Sequence, residues 1–156
     1  MTLEEIKIAN TNAAFEPQLD YVIAKLPRFP FDKFTSATNV LGTQMKATGE
    51  VMGIGSTLEE CLLKGIRSLE IGANHIYHPK FDTMTVDELL EYISVFRSDN
   101  IFAIAELVYH GVSIEKIHEV TQITPFFLKV IKRIENQLEH LEVRSSHTAE
   151  AWIGEF

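Results

Sequence analysis

The chain has 156 residues, of which 46% are hydrophobic and 23% charged, the length and balance of one ordinary globular domain. Its formal net charge of -8 repels phosphate backbones and argues against a nucleic-acid partner. No apolar run approaches the roughly 18 to 20 residues that span a bilayer, which argues against a membrane partner. Because residues 1–5 lack a secretory pattern and the one cysteine, Cys61, forms no intrachain disulfide, we expect a cytoplasmic protein.

Two stretches within the first 55 residues are predicted to be β-strands. Residues 21–29 are apolar with partial alternation, and Pro27 favours a place at the edge of a sheet. Residues 49–54 are too few and too rich in glycine for a helix. Since two isolated strands do not make a stable sheet, we interpret them as the margin of a sheet whose other strands lie elsewhere.

Residues 56–144 are strongly periodic and are predicted to form a compact domain of about five helices. The fold class is therefore mainly α, with one or two N-terminal β-strands. Residues 145–156 are interpreted as a tail. The predicted helix starts, taken in chain order, are at Ser56, Thr85, Ile101, Ser113 and Thr124–Pro125.

Local signals set the expected helix ends. Ser56 and Thr85 each precede a glutamate by three residues, the spacing of a capping box, in which hydroxyl and carboxylate satisfy backbone amides. Gly72 and Gly111 are predicted to end the first and third helices, because glycine tolerates the left-handed conformation.

The last helix carries the densest apolar stripe and is predicted to supply much of the core. Glu135 is predicted to lie on its opposite, exposed face. The adjacent Phe126 and Phe127 have two interpretations, as part of that core or as a surface for a partner. The stripe consists of Phe127, Val130, Ile131, Ile134, Leu138 and Leu141.

Two patterns are weak candidates for ligand sites. Gly53 and Gly55 precede a helix as in a phosphate cradle, but position 58, where a third glycine would complete that fingerprint, is Leu58. His75 and His78 have a metal-like spacing, and a small metal-dependent hydrolase is one hypothesis. We favour a tight strand-to-helix turn for the first pattern and surface histidines for the second, with no metal site.

Acidic and basic side chains also occur together in the first half. Glu16, Asp20 and Glu50 have the residue type of catalytic carboxylates. Lys25, Arg28 and Lys46 are the cations available to pair with such groups. Ion pairing is the favoured interpretation, and no catalytic residue is predicted.

The first half resembles a known family. Residues 15–29 read FEPQLDYVIAKLPRF, followed by FDKF at 31–34 and TQMKATGEVMGIG at 43–55. This order and spacing, kept across roughly residues 3–73, resemble the end of the first ATP-grasp half of the large subunit of glutamine-dependent carbamoyl phosphate synthetase. From residue 74 to 143 the similarity is looser and depends on helix order.

The resemblance implies a piece cut from within a larger subunit. Residues 1–55 would be the margin of the ATP-grasp half that forms carboxyphosphate, and 56–144 the helical oligomerisation domain. The family's enzyme makes carbamoyl phosphate from bicarbonate, glutamine-derived ammonia and two ATP, for pyrimidine and arginine synthesis. It uses ATP with Mg and K ions, but its nucleotide loops and metal carboxylates lie upstream, so no cofactor is expected in this piece.

The implied partners are the remainder of the large subunit, the glutaminase small subunit and further copies of the chain. By itself the chain is expected to be inactive, and a stand-alone helical protein-binding module is the alternative. Ser56 stands where the family commonly has arginine, and residues 74–80 differ from the usual loop. The motif residues implied at the domain junction are Glu16, Pro17, Asp20, Tyr21, Lys25, Pro27, Arg28, Phe29, Gln44, Met45, Lys46, Gly49, Glu50, Met52 and Gly55.

Overall fold

A computed structural model describes residues 1–16, 19–73 and 75–140, and it confirms a mainly α fold with a few N-terminal strands. Pro17 and the predicted tail at 145–156 lie outside the described residues. The regular elements in chain order are β1 (Lys7–Ile8), β2 (Thr11–Asn12), β3 (Val22–Arg28), β4 (Gly49–Gly55), α1 (Leu58–Ser68), α2 (Val86–Ser94), α3 (Asn100–Tyr109), α4 (Ile114–Thr121) and α5 (Pro125–His140), with short 3-10 turns at Leu3–Glu5 and Pro79–Phe81.

The two predicted strands, β3 and β4, pair with each other. Their antiparallel register runs from Val22 opposite Gly55 to Arg28 opposite Gly49. One face of this hairpin packs on α1. The strands β1 and β2 form a separate antiparallel pair of two residues each, which is too short to leave a sequence pattern.

The core lies among the helices. α3 is its centre, because residues 102–108 are all buried, and it packs against α2 and α5. α5 also contacts α1 and α4 and so closes the bundle. No helix within the described residues is both long and apolar enough to cross a membrane.

The predicted helix ends are confirmed at α2, α3 and α5 and corrected at α1. Thr85 makes its capping box with Glu88, Gly111 has a φ of 78° just past α3, and Pro125 begins α5. At α1 the cap is one residue later than predicted: the hydroxyl of Thr57, not that of Ser56, accepts from the Glu60 amide. α1 also ends at Ser68, before the predicted Gly72, because the chain already turns left-handed at Glu70, with a φ of 52°.

The predicted faces of α5 need one correction. Ile134 is 1% exposed, as expected for a core residue, but Glu135 is also only 1% exposed, so its predicted exposed position is wrong. Glu135 lies two helical turns after the buried Leu128 and so points in the same direction from α5. Because α1, α3 and α4 all contact α5, the buried side of this helix is wider than its apolar stripe. At the other end of the stripe Phe127 remains 50% exposed. The Leu138 side chain and Leu141 lie outside the described part.

Candidate domain junction

The backbone of the hairpin packs directly against the backbone of α1. A Cβ atom placed on Gly53 would be 2.0 Å from the carbonyl oxygen of Cys61, and one on Gly65 would be 2.5 Å from Leu26 Cδ1. The Cys61 thiol donates to the Val22 carbonyl over 2.9 Å, so both strands are tied to the helix. The glycines at 53 and 55 therefore belong to β4 itself, and Gly53 serves close strand-to-helix packing.

Charged residues of the predicted junction form ion pairs within the first half. Lys25 Nζ lies 2.8 Å from Glu50 Oε2 across the two strands, with both side chains more than half exposed. The Arg28 guanidinium binds both carboxylate oxygens of Asp32, at 3.1 and 2.8 Å. Its hydrogen bond to Asp32 is the main cause that raises the pKa of Arg28. In both pairs the carboxylate lies beside a cation, which agrees with the favoured interpretation as ion pairing.

The other predicted junction residues are spread along the hairpin and its connecting loop. Glu16, Asp20, Pro27, Gln44 and Gly49 are exposed, and Met45 is 91% exposed. In contrast, Phe29 stacks on Phe31 with ring centroids 5.7 Å apart. The Lys46 ammonium donates to the carbonyls of Val40 and Thr38, at 2.6 and 3.2 Å.

The outer face of the hairpin is open and carries an apolar group of side chains beside the Lys25–Glu50 ion pair. Ile23 pairs with Ile54 across the strands, and their side chains are 47% and 50% exposed. Met52, on the same face, is 62% exposed, and Tyr21 just before β3 is 44% exposed. Polar side chains usually cover the free face of a two-stranded antiparallel sheet, so the uncovered apolar part of this face has the character of a docking surface.

A polar cluster holds the loop between the strands against the helical part. The Asn39 amide donates to Tyr92 Oη and Asp99 Oδ1, at 3.2 and 3.0 Å. Lys80 Nζ donates to the same two residues at 2.6 Å each, and the Arg97 guanidinium lies 4.2 Å above the Tyr92 ring. Burial opposes the Lys80 charge, but the hydrogen bonds outweigh it and raise the pKa of Lys80.

Backbone hydrogen bonds extend this attachment. The amide of Leu41 donates to the Phe96 carbonyl over 2.7 Å, and the amide of Ser98 donates to the Asn39 carbonyl over 3.2 Å. This contact is not predictable from the sequence, because residues 39 and 99 are far apart in the chain and no local pattern connects them. The hairpin and its loop are thus attached to the helices at two places, α1 and the connection between α2 and α3.

One ionisable group at the start of α1 carries a pH-dependent part of this attachment. Hydrogen bonds from the Lys64 ammonium, then from the Ser56 amide and hydroxyl, lower the pKa of Glu60 from 4.5 to about 2. A lowered folded-state pKa means that the unfolded chain binds this proton more tightly. The stabilisation is therefore present above pH 4.5 and is lost as pH falls towards 2.

We expect Glu60→Gln to flatten the acid side of the stability profile. The free energy of unfolding of the unmodified chain should decline more steeply below pH 4.5 than that of the variant, because only the unmodified chain loses the Glu60 charge. Urea denaturation at a series of pH values measures both slopes. Parallel curves for the two proteins would contradict this assignment.

The predicted metal-like pattern does not form a cluster in the part of the chain that the structure describes. Within residues 1–16, 19–73 and 75–140 there is no group of three or more histidine, cysteine or carboxylate side chains that could hold a metal ion. Nδ1 of His78 accepts from the Lys80 amide over 3.2 Å, and Asp82 accepts from the Tyr77 hydroxyl over 2.5 Å. His78 therefore caps the local turn at Pro79–Phe81.

Fold and site together define a helical assembly module, with a strand hairpin docked on its first helix and an open apolar face on that hairpin. The family model described as "Carbamoyl-phosphate synthetase large chain, oligomerisation domain" matches residues 50–153. Since the match spans more than half of the chain, the chain belongs to this family. It is a connector and oligomerisation segment of that large chain, as the resemblance implied. The match begins within β4, so its pairing partner β3 precedes the matched residues.

Proposed function

We propose that this chain acts as a non-catalytic connector in an ATP-dependent ligase, joining an ATP-grasp half to the helical domain and one copy of the large subunit to another. The observation that carries the proposal is the two-sided hairpin: one face is locked on α1 through Gly53, and the other presents Ile23, Met52 and Ile54 to the outside. A connector needs such a rigid attachment on one side and an unused contact face on the other.

The contacts support a rigid connection. Gly53 brings the backbone of β4 against that of α1, while Asn39 ties the connecting loop to Tyr92 and Asp99. Two separate attachments resist rotation of the hairpin about either one. A domain docked on the outer face of the hairpin would therefore keep a fixed position relative to the helices.

The wider context proposed here is the one that membership of the family would imply. The whole ligase would combine bicarbonate, glutamine-derived ammonia and two ATP, with Mg and K ions bound in its ATP-grasp halves. The remainder of the large subunit and a glutaminase small subunit would be its partners. Cytoplasmic carbamoyl phosphate synthesis for pyrimidines and arginine is the corresponding role.

A stand-alone helical binding module is the second candidate. The family match to a large-chain domain does not favour it. The hairpin also argues against it, because an independent protein gains nothing from leaving Ile23, Met52 and Ile54 uncovered. The sequence on either side of this chain in its reading frame separates the two candidates, because ATP-grasp sequence on both sides supports the connector.

The connector is expected to be catalytically silent by itself. The purified chain, supplied with ATP, Mg and bicarbonate, should release ADP no faster than buffer, because the described residues include no metal-binding carboxylate cluster. A coupled ADP assay with and without bicarbonate makes the measurement. Turnover that follows the protein peak and survives repurification would refute a non-catalytic role.

A further inference from the structure

We propose that Phe126 and Phe127, at the start of α5, form the centre of the surface through which two copies of this chain associate. The proposal rests on the oligomerising role proposed above and assigns it to one place on the molecule. The occupant is a second copy of the chain, with the two aromatic pairs facing each other about a two-fold axis.

The aromatic pair is exposed at the start of a helix whose following apolar side chains are buried. Phe126 and Phe127 are 58% and 50% exposed, and their rings pack edge to face with centroids 5.3 Å apart. The apolar side chains that follow on α5 point into the core, since Leu128, Val130 and Ile134 are at most 1% exposed. The pair is therefore a preformed apolar projection on a well-packed helix, at low entropic cost for binding.

Other exposed apolar residues in the helical part are less suitable. Val95 and Phe96 lie in the connection that binds the loop at residues 39–41, so they adjoin the hairpin contact. Tyr109 is 42% exposed at the end of α3 and packs edge to face on His110. The phenylalanine pair differs in placing two adjacent apolar rings, without a charged or titratable group, on one exposed site of a helix.

Charge around the pair favours a second copy over an unrelated partner. On α5, Lys129 and Lys132 follow the aromatic pair and are exposed. On α4, which leads into α5, Glu115 and Glu119 are exposed, and Glu119 pairs with Lys116 of the same helix over 3.1 Å. One copy thus supplies exposed lysines on α5 and exposed glutamates on α4. A two-fold arrangement can set the lysines of α5 in each copy against Glu115 and Glu119 of the other.

The size of the patch sets the expected strength. Two half-exposed aromatic rings per copy bury far less than the roughly 1,200 to 2,000 Å² of a standard interface. The polar surroundings on α4 and α5 must supply the rest, and the phenylalanines act as the hot spot. We therefore expect reversible, concentration-dependent association rather than a permanent dimer.

The test compares two double variants of the full chain. Phe126→Ser with Phe127→Ser removes the proposed centre, and Met52→Ser with Ile54→Ser removes an equally exposed apolar pair on the hairpin. Dilution of fluorescently labelled chain gives the dissociation constant of each homodimer, and far-UV circular dichroism checks folding. The single variant Phe126→Ser, at the more exposed ring, is used if the double variant fails to fold.

The proposal requires the phenylalanine variant to raise the dissociation constant by about 30-fold or more, the loss typical of a hot spot. The hairpin variant must change it by less than about threefold. If the unmodified chain and the phenylalanine variant associate equally well, the assignment of this surface is wrong, although the oligomerising role is not contradicted. An unmodified chain that stays monomeric overturns both.

Discussion

Gly53→Ala is expected to lower the free energy of unfolding by about 3 kcal/mol or more, at the upper end of overpacking effects. The added Cβ would lie 2.0 Å from the Cys61 carbonyl oxygen and 2.9 Å from the Gly65 amide nitrogen. Both atoms belong to the backbone of α1, so no rotamer change relieves the clash, and the strand must move away from the helix. Urea denaturation measures the loss.

Gly49→Ala is the matched control for this variant. Gly49 lies in the same strand, but a Cβ there meets nothing within 4 Å. We expect a change within about 0.5 kcal/mol, as for an ordinary surface substitution. Similar losses for the two variants would mean that glycine is needed only for the strand backbone, and the close packing of hairpin and helix would be wrong.

Ile134→Ala is expected to cost about 2 to 5 kcal/mol, the range for truncating a buried isoleucine. Ile134 is 1% exposed on α5, the helix that contacts α1, α3 and α4, so the resulting cavity lies where neighbours cannot easily collapse into it. Asn136→Ala, at an exposed position of the same helix, is the control and should cost within about 0.5 kcal/mol.

Chemical denaturation of the two α5 variants gives both values. Equal losses would contradict the assignment of faces on this helix. Glu135 is not a suitable control, since it is as buried as Ile134. A substitution there would remove a polar group from the interior rather than from the surface.

The sequence predicts the parts of this fold that depend on local chemistry. The capping box at Thr85, the proline at the start of α5 and the left-handed Gly111 each act within a few residues, and all three occur as predicted. Where two hydroxyls are adjacent, as at Ser56 and Thr57, the local pattern allows either residue to cap the helix. The structure shows that α1 begins at Leu58, which makes Thr57 the capping residue.

The rest depends on contacts between distant residues. Asn39 meets Tyr92 and Asp99 only after the loop folds over the helices, and no spacing in the sequence signals that meeting. Periodicity likewise marks the apolar stripe of α5 but not how far its neighbours extend, so it missed the burial of Glu135 and left open whether Phe127 is core or surface. The ion pair of Lys25 with Glu50 is an intermediate case. The sequence identifies both residues as groups available for ion pairing, but only the register of β3 and β4 shows that they pair with each other.

The central claim is that this chain is a self-associating connector, and sedimentation equilibrium of the unmodified chain tests it most directly. Over a wide concentration range, the weight-average mass should rise from that of the monomer towards twice that value and return on dilution. A mass that stays at the monomer value at the highest concentration would contradict the claim.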